Sequence, residues 1–90
     1  MIDHTYRINR KGLLEILEAS SEDPYHVTEL SEPDEHGDVK VVFYDRMNNQ
    51  FYLTSYRVDR DGKPDIYDAW IQIFKVRRAY KTISYWELDQ

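Results

Sequence analysis

Residues 39–59, Val39-Lys40-Val41-Val42-Phe43-Tyr44-Asp45-Arg46-Met47-Asn48-Asn49-Gln50-Phe51-Tyr52-Leu53-Thr54-Ser55-Tyr56-Arg57-Val58-Asp59, decide how this chain folds. Val39 to Arg46 and Gln50 to Asp59 are rich in β-branched and aromatic residues, and Met47-Asn48-Asn49 separates them, so the stretch reads as a β-hairpin. Loop length sets its register. A two-residue Asn48-Asn49 loop pairs Tyr44 with Leu53 and Phe43 with Thr54, mixing polar and apolar groups on both faces. A three-residue loop, with Asn49 left-handed, pairs Phe43 with Leu53 and Tyr44 with Tyr52. The second register is favoured because it leaves an aliphatic face, Val39, Val41, Phe43, Phe51 and Leu53, for a helix to cover. The opposite face then gathers Tyr44, Tyr52 and Tyr56 with Lys40, Arg46 and Thr54.

Upstream of the hairpin, Asn9 is placed to cap a helix, with Ile8 and Leu13 at the spacing of a hydrophobic staple. Leu13, Leu14, Ile16 and Leu17 recur on one face, and Ser20-Ser21-Glu22-Asp23-Pro24 ends the run. Arg10 and Lys11 oppose the macrodipole in the first turn, and Gly12 costs up to about 1 kcal/mol relative to Ala, so this helix depends on docking. Tyr25 to Ser31 reads as a strand of poor alternation, and Glu32 to Asp38 as a polar loop.

Downstream, Asp59-Arg60-Asp61-Gly62-Lys63-Pro64 is a turn. Ile66 to Val76 can be read two ways. A helix would place Ile66, Ala69, Ile73, Val76, Tyr80 and Ile83 on one stripe, but the apolar arc would exceed half the circumference with Arg77 inside it. A strand fits the abundance of Ile, Tyr, Trp, Phe and Val better. Lys81 to Leu88 reads as a final strand. The expected fold is a single α+β domain over residues 1–90: an N-terminal helix packed on one face of a four- to five-stranded antiparallel sheet. The alternative is an α-β-β-β-α order with a second helix at about 65–80.

Composition narrows the function classes. There is no Cys, which removes disulfides, thiolate metal sites, iron–sulfur clusters and Cys nucleophiles together. The first residues lack the apolar core of a signal peptide, and no apolar run nears the roughly 20 residues of a bilayer span, so a cytoplasmic protein without a membrane segment is expected. A net charge of −5 argues against whole-surface binding to nucleic acid or anionic membranes. Eight Tyr, three Phe and two Trp in 90 residues are too many for the centre of so small a core, so some must lie on a surface.

Four features carry potential chemistry. Asp59, Asp61, Gly62, Asp65 and Asp68 fall at calcium-loop spacing, but Arg57 occupies the first ligand position and Asp68 is shorter than the bidentate Glu required. The turn reading is preferred. His4, His26 and His36 have no partner at metal-ligand spacing, and Asp34, Glu35 and Asp38 around His36 read as a solvated loop. The tyrosine face flanked by cations resembles in its chemistry a stacking platform for single-stranded nucleic acid. Lys75, Arg77, Arg78 and Lys81 form the one dense basic run, which the chain's own carboxylates are expected to neutralise.

No nucleophile setting, cofactor loop or metal ligand set emerges, so no enzymatic activity and no cofactor are expected. The sequence reads as a non-catalytic protein-interaction module, an accessory or inhibitor protein. It is expected to bind a protein partner, a second copy of itself included, through Tyr44, Arg46, Tyr52 and Tyr56 with Arg77 and Arg78. Two alternatives stand beside it: single-stranded nucleic-acid binding through the same face and the basic run, and acidic mimicry of nucleic acid.

Overall fold

The computed structural model describes residues 6–67, 69–80 and 84–89. Arg7–Asn9 (β1) leads directly into a helix, Arg10–Glu18 (α1). Asn9 caps α1, its side-chain oxygen accepting the Gly12 N–H at 2.9 Å, and the staple residues Ile8 and Leu13 are both fully buried. Five strands follow in a meander of order β2-β3-β4-β6-β7, all pairs antiparallel: Tyr25–Leu30 (β2), Asp38–Asp45 (β3), Gln50–Arg57 (β4), Phe74–Tyr80 (β6) and Ser84–Leu88 (β7). Trp70–Gln72 (β5) leaves this sheet to pair with β1. The fold is therefore α+β with one short helix on a mostly antiparallel sheet.

The ambiguous segment is strand, beginning at Trp70, and the alternative second helix at 65–80 does not form. Ile73 divides β5 from β6. Its side chain enters the core and its N–H donates to Tyr6 O at 2.9 Å, so one run of chain serves first the small sheet and then the large one. The expected final strand is seen from Ser84; residues 81–83 lie outside the described residues.

The hairpin register differs from the expected one. Phe43 pairs with Tyr52, Tyr44 with Phe51 and Asp45 with Gln50, which leaves a four-residue loop, 46–49. The cause is Asp45. Its carboxylate accepts the Met47 and Asn48 N–H groups and the Asn48 side-chain amide, at 3.0, 3.3 and 2.6 Å, and so starts the turn one residue earlier than the apolar pattern implies. Asn49 is left-handed as expected, at φ 52°. A one-residue shift exchanges the faces of one strand relative to the other. Tyr52, Thr54 and Tyr56 thus join Val39, Val41 and Phe43 beneath the helix, while Phe51 and Leu53 join Val42 and Tyr44 on the far side.

Ile8, Leu13, Ile16, Val41, Phe43 and Ile73 form the centre of the helix-side core, with Tyr52 and Tyr56 among them. Val42 and Val76 are also buried, yet stand outside that cluster, so the opposite face has apolar packing of its own. Flat strands at ~4.8 Å spacing would hold β2 and β7 ~19 Å apart. Instead Glu29 on β2 bonds Arg78 on β6 and Trp86 on β7, each at 2.5 Å. The sheet must therefore roll up on the side away from the helix, making that face concave.

Candidate interaction surface

The six expected binding residues do not share a surface. Tyr52 and Tyr56 lie in the helix-side core, 5% and 6% exposed. Burial raises both phenols above the ordinary tyrosine range, with the Asp45 charge adding to the effect at Tyr52. Tyr44 is on the concave face, against Phe51 with ring centroids 4.8 Å apart and edge-on to His26, and its hydroxyl donates to the Asn49 side chain. The tyrosine face expected from the other register is thereby divided between the two sides of the sheet.

The cations are also dispersed. Arg46 is in the hairpin loop, where its guanidinium donates to Ser21 O and Glu22 O at 2.6 and 3.0 Å and ties the loop to the helix–β2 connection. Arg77 pairs with Glu87 at 2.6 Å. Arg78 points to the other face, as alternation along β6 requires, and pairs with Glu29. Lys75 stands over the Tyr6 ring. The expected neutralisation by the chain's own carboxylates holds for Arg77 and Arg78; Lys81 lies outside the described residues.

The concave face is where the structure assembles a surface. Paired positions place Val42, Leu53 and Phe74 in one row across β3, β4 and β6, and Tyr44, Phe51, Val76 and Leu88 in the next. Trp86 lies over Phe51 with ring centroids 4.7 Å apart, and the Arg78 guanidinium covers the indole at 5.0 Å. Glu29 closes the arrangement by accepting from both. The Trp86 hydrogen bond, followed by the hydrogen bond and charge of Arg78, holds its carboxyl below the usual carboxylate range against the opposing effect of burial. Beside this clasp is a depression of about 360 Å³, walled by Val42, Leu53 and Trp86 and rimmed by Glu29, Ser31 and Lys40. Phe74 and Leu88 remain 43% and 54% exposed.

Phe74, Trp86, Leu88 and Glu29 were not among the residues expected to bind. A signal for them is present in the sequence: Val41-Val42-Phe43-Tyr44 is an unbroken apolar run, which marks a strand covered on both faces.

The other candidates take local roles. Asp59 accepts the Asp61 and Lys63 N–H groups at 2.9 and 3.0 Å, with Gly62 at φ 76°, the arrangement of a closed turn; Asp68 lies outside the described residues. Asp34 accepts the His36 and Asp38 N–H groups, which hold its carboxyl low. His26 bonds Asp23 O and His36 contacts Glu35, while His4 lies outside the described residues. Among the described residues there is no His, Cys, Asp and Glu group able to hold a metal ion, and no helix long and apolar enough to cross a membrane.

Comparison with protein-family models, with curated proteins and with solved structures found no match.

Proposed function

We propose that this chain is a non-catalytic protein-interaction module that engages its partner through the concave face of the sheet. The observation that carries the reading is the pair Phe74 and Leu88, half-exposed large apolar side chains on one face, beside the Phe51–Trp86 ring stack and a polar rim. An apolar centre containing aromatic and Arg side chains within a polar border is the usual anatomy of a protein interface. Protein is favoured over nucleic acid because the three arginines expected to meet phosphates, Arg46, Arg77 and Arg78, are bonded to the chain's own carbonyls and carboxylates, which leaves Lys40 as the cation on the rim of the depression. A second copy of the chain is one such partner. Acidic mimicry draws no support from the concave face, where the Glu29 carboxylate is paired with Arg78.

Photo-cross-linking tests this. A benzophenone side chain at position 74 should trap one discrete protein adduct, which Leu88→Glu abolishes; the same group at Tyr67, on the helix side, should trap none. Equal labelling from both positions would reject the concave face. Light scattering of the same variants distinguishes a second copy, which Leu88→Glu would dissociate, from a different protein. Retention on single-stranded DNA or RNA that weakens steeply with salt would favour the nucleic-acid reading instead.

A further inference from the structure

On the helix side, where the β3–β4 loop turns, a cavity of about 390 Å³ opens between three tyrosines, Tyr6, Tyr25 and Tyr52, and the polar side chains of Asp45, Asn48 and Lys75. Its wall is a run of rings. Tyr6 and Tyr52 have centroids 6.2 Å apart, Tyr52 stacks on the buried Phe43 at 5.4 Å, and Tyr25 meets Phe43 edge-on at 6.4 Å. The Asp45 carboxylate is 1% exposed and fixed by its three bonds within the hairpin loop. Among the described residues no cation bonds it. Its charge nevertheless acts on the phenols of both Tyr25 and Tyr52, neither of which donates to it. The space between these groups is the cavity.

We propose that this cavity binds an organic ammonium group, with the tyrosine wall and the fixed Asp45 carboxylate as its receptor and Lys75 as the internal cation it displaces. The charges differ in mobility, and that decides the sign of the ligand. An anion would face a buried carboxylate that cannot retreat, whereas a cation faces only Lys75, an ammonium on a flexible stem that can swing to solvent. Lys75 already places a cation against one ring of this wall, its ammonium lying 4.7 Å from the Tyr6 ring centroid. A hard metal ion is disfavoured because it needs several oxygen ligands, and both Asp45 oxygens are already held by amides. Aromatic walls with a carboxylate suit an alkylated ammonium, which is weakly hydrated and large enough to touch several rings. The site is independent of the concave face and stands or falls separately from the interaction reading.

Choline is the probe, and its neutral isostere 3,3-dimethyl-1-butanol the control, with the intact chain observed by NMR of the tyrosine ring resonances. Choline should move the Tyr6, Tyr25 and Tyr52 signals saturably, and the neutral alcohol should bind about tenfold more weakly or worse, as expected if ring and carboxylate attraction to charge dominates. Removing the competing cation with Lys75→Met should tighten choline binding by about threefold or more, and Asp45→Asn should weaken it about tenfold. Because Asp45 also organises the loop, Tyr25→Leu provides a second test that keeps the loop intact: it should weaken choline by about threefold while leaving the fold unchanged. Equal affinity for choline and the alcohol, weaker binding in Lys75→Met, or no saturable shift of these three rings would each overturn the proposal.

Discussion

The indole N–H of Trp86, on one edge strand of the sheet, donates to the carboxylate of Glu29 on the other edge strand at 2.5 Å. Because Arg78 bonds the same carboxylate, one side chain joins β2 to β6 and β7 over the concave face. Glu29→Ala should cost only about 1 kcal/mol by urea denaturation, since the contacts are partly exposed. Its larger effect should be local. With Trp70→Phe as background, Trp86 emission should shift to the red as the clasp opens, and an unchanged spectrum would mean that the roll of the sheet does not depend on Glu29.

The same clasp should respond to acid. Glu29 titrates below its ordinary value in the folded chain, so its contribution is complete above about pH 4.3 and is lost as pH falls through the lower, folded value. Asp34, held low by the amides of Asp38 and His36, acts in the same direction. The urea midpoint should therefore decline below about pH 4, and Glu29→Gln should flatten part of that decline. An equally steep decline in the variant would remove Glu29 from the account.

The expected register pairs Tyr44 with Tyr52 on one face, whereas the observed register, shifted by one residue, puts them on opposite faces of the sheet. Tyr52→Ala opens the helix-side core and should cost about 3–5 kcal/mol, whereas Tyr44→Ala, half-exposed on the other face, should cost about 1 kcal/mol. Comparable losses would contradict the observed pairing of Phe43 with Tyr52.

That difference also marks how far the sequence could be read. Asn9, Ile8 and Leu13 announce the helix start through local chemistry, and β3 and β4 announce themselves by composition. The register was not legible from polarity, because Leu53 is more apolar than Tyr52 and so looks like the core residue of β4. What reverses this is cooperative: Asp45 builds the turn, the far face is itself closed by Phe51 and Trp86, and Thr54 becomes acceptable inside because its hydroxyl donates to Gln72 O at 2.8 Å. The interaction surface was obscured for the same reason. Glu29, Phe74 and Trp86 come together only when the sheet rolls, and rolling leaves no periodic trace in the chain.

Alkaline titration provides a separate test of burial. The phenols of Tyr25, Tyr52 and Tyr56 are raised, each principally by burial, so their stabilising neutral form persists above about pH 10 and is lost as pH rises through the folded values. Absorbance at 295 nm should show a late-ionising class that merges with the rest in denaturant, and Tyr56→Phe should remove one of its members. A single phase in the native protein would contradict their placement.

Asn9→Ala should cost about 1 kcal/mol by removing the acceptor for the Gly12 N–H, and Asn9→Asp should restore most of it by favouring the helix dipole. Far-UV circular dichroism should then report helix loss in the first variant alone. A neutral Asn9→Ala would mean that packing of Ile8 and Leu13 is sufficient to hold the helix start.

Strand β1 pairs with β5, Arg7 against Gln72 and Asn9 against Trp70. Strand β1 therefore waits for a partner made much later in the chain, and the short helix that follows it directly is tied to that strand. During synthesis the β2–β3–β4 meander can form as soon as it emerges and can receive Leu13 and Ile16 of α1 beside Val41 and Phe43, but β1 has no strand to pair with until residues 70–72 have been made. The order in which β1 is secured is thus inverted with respect to the order of translation, and a ribosome stalled before residue 70 would hold a chain whose β1 backbone groups are still unpaired.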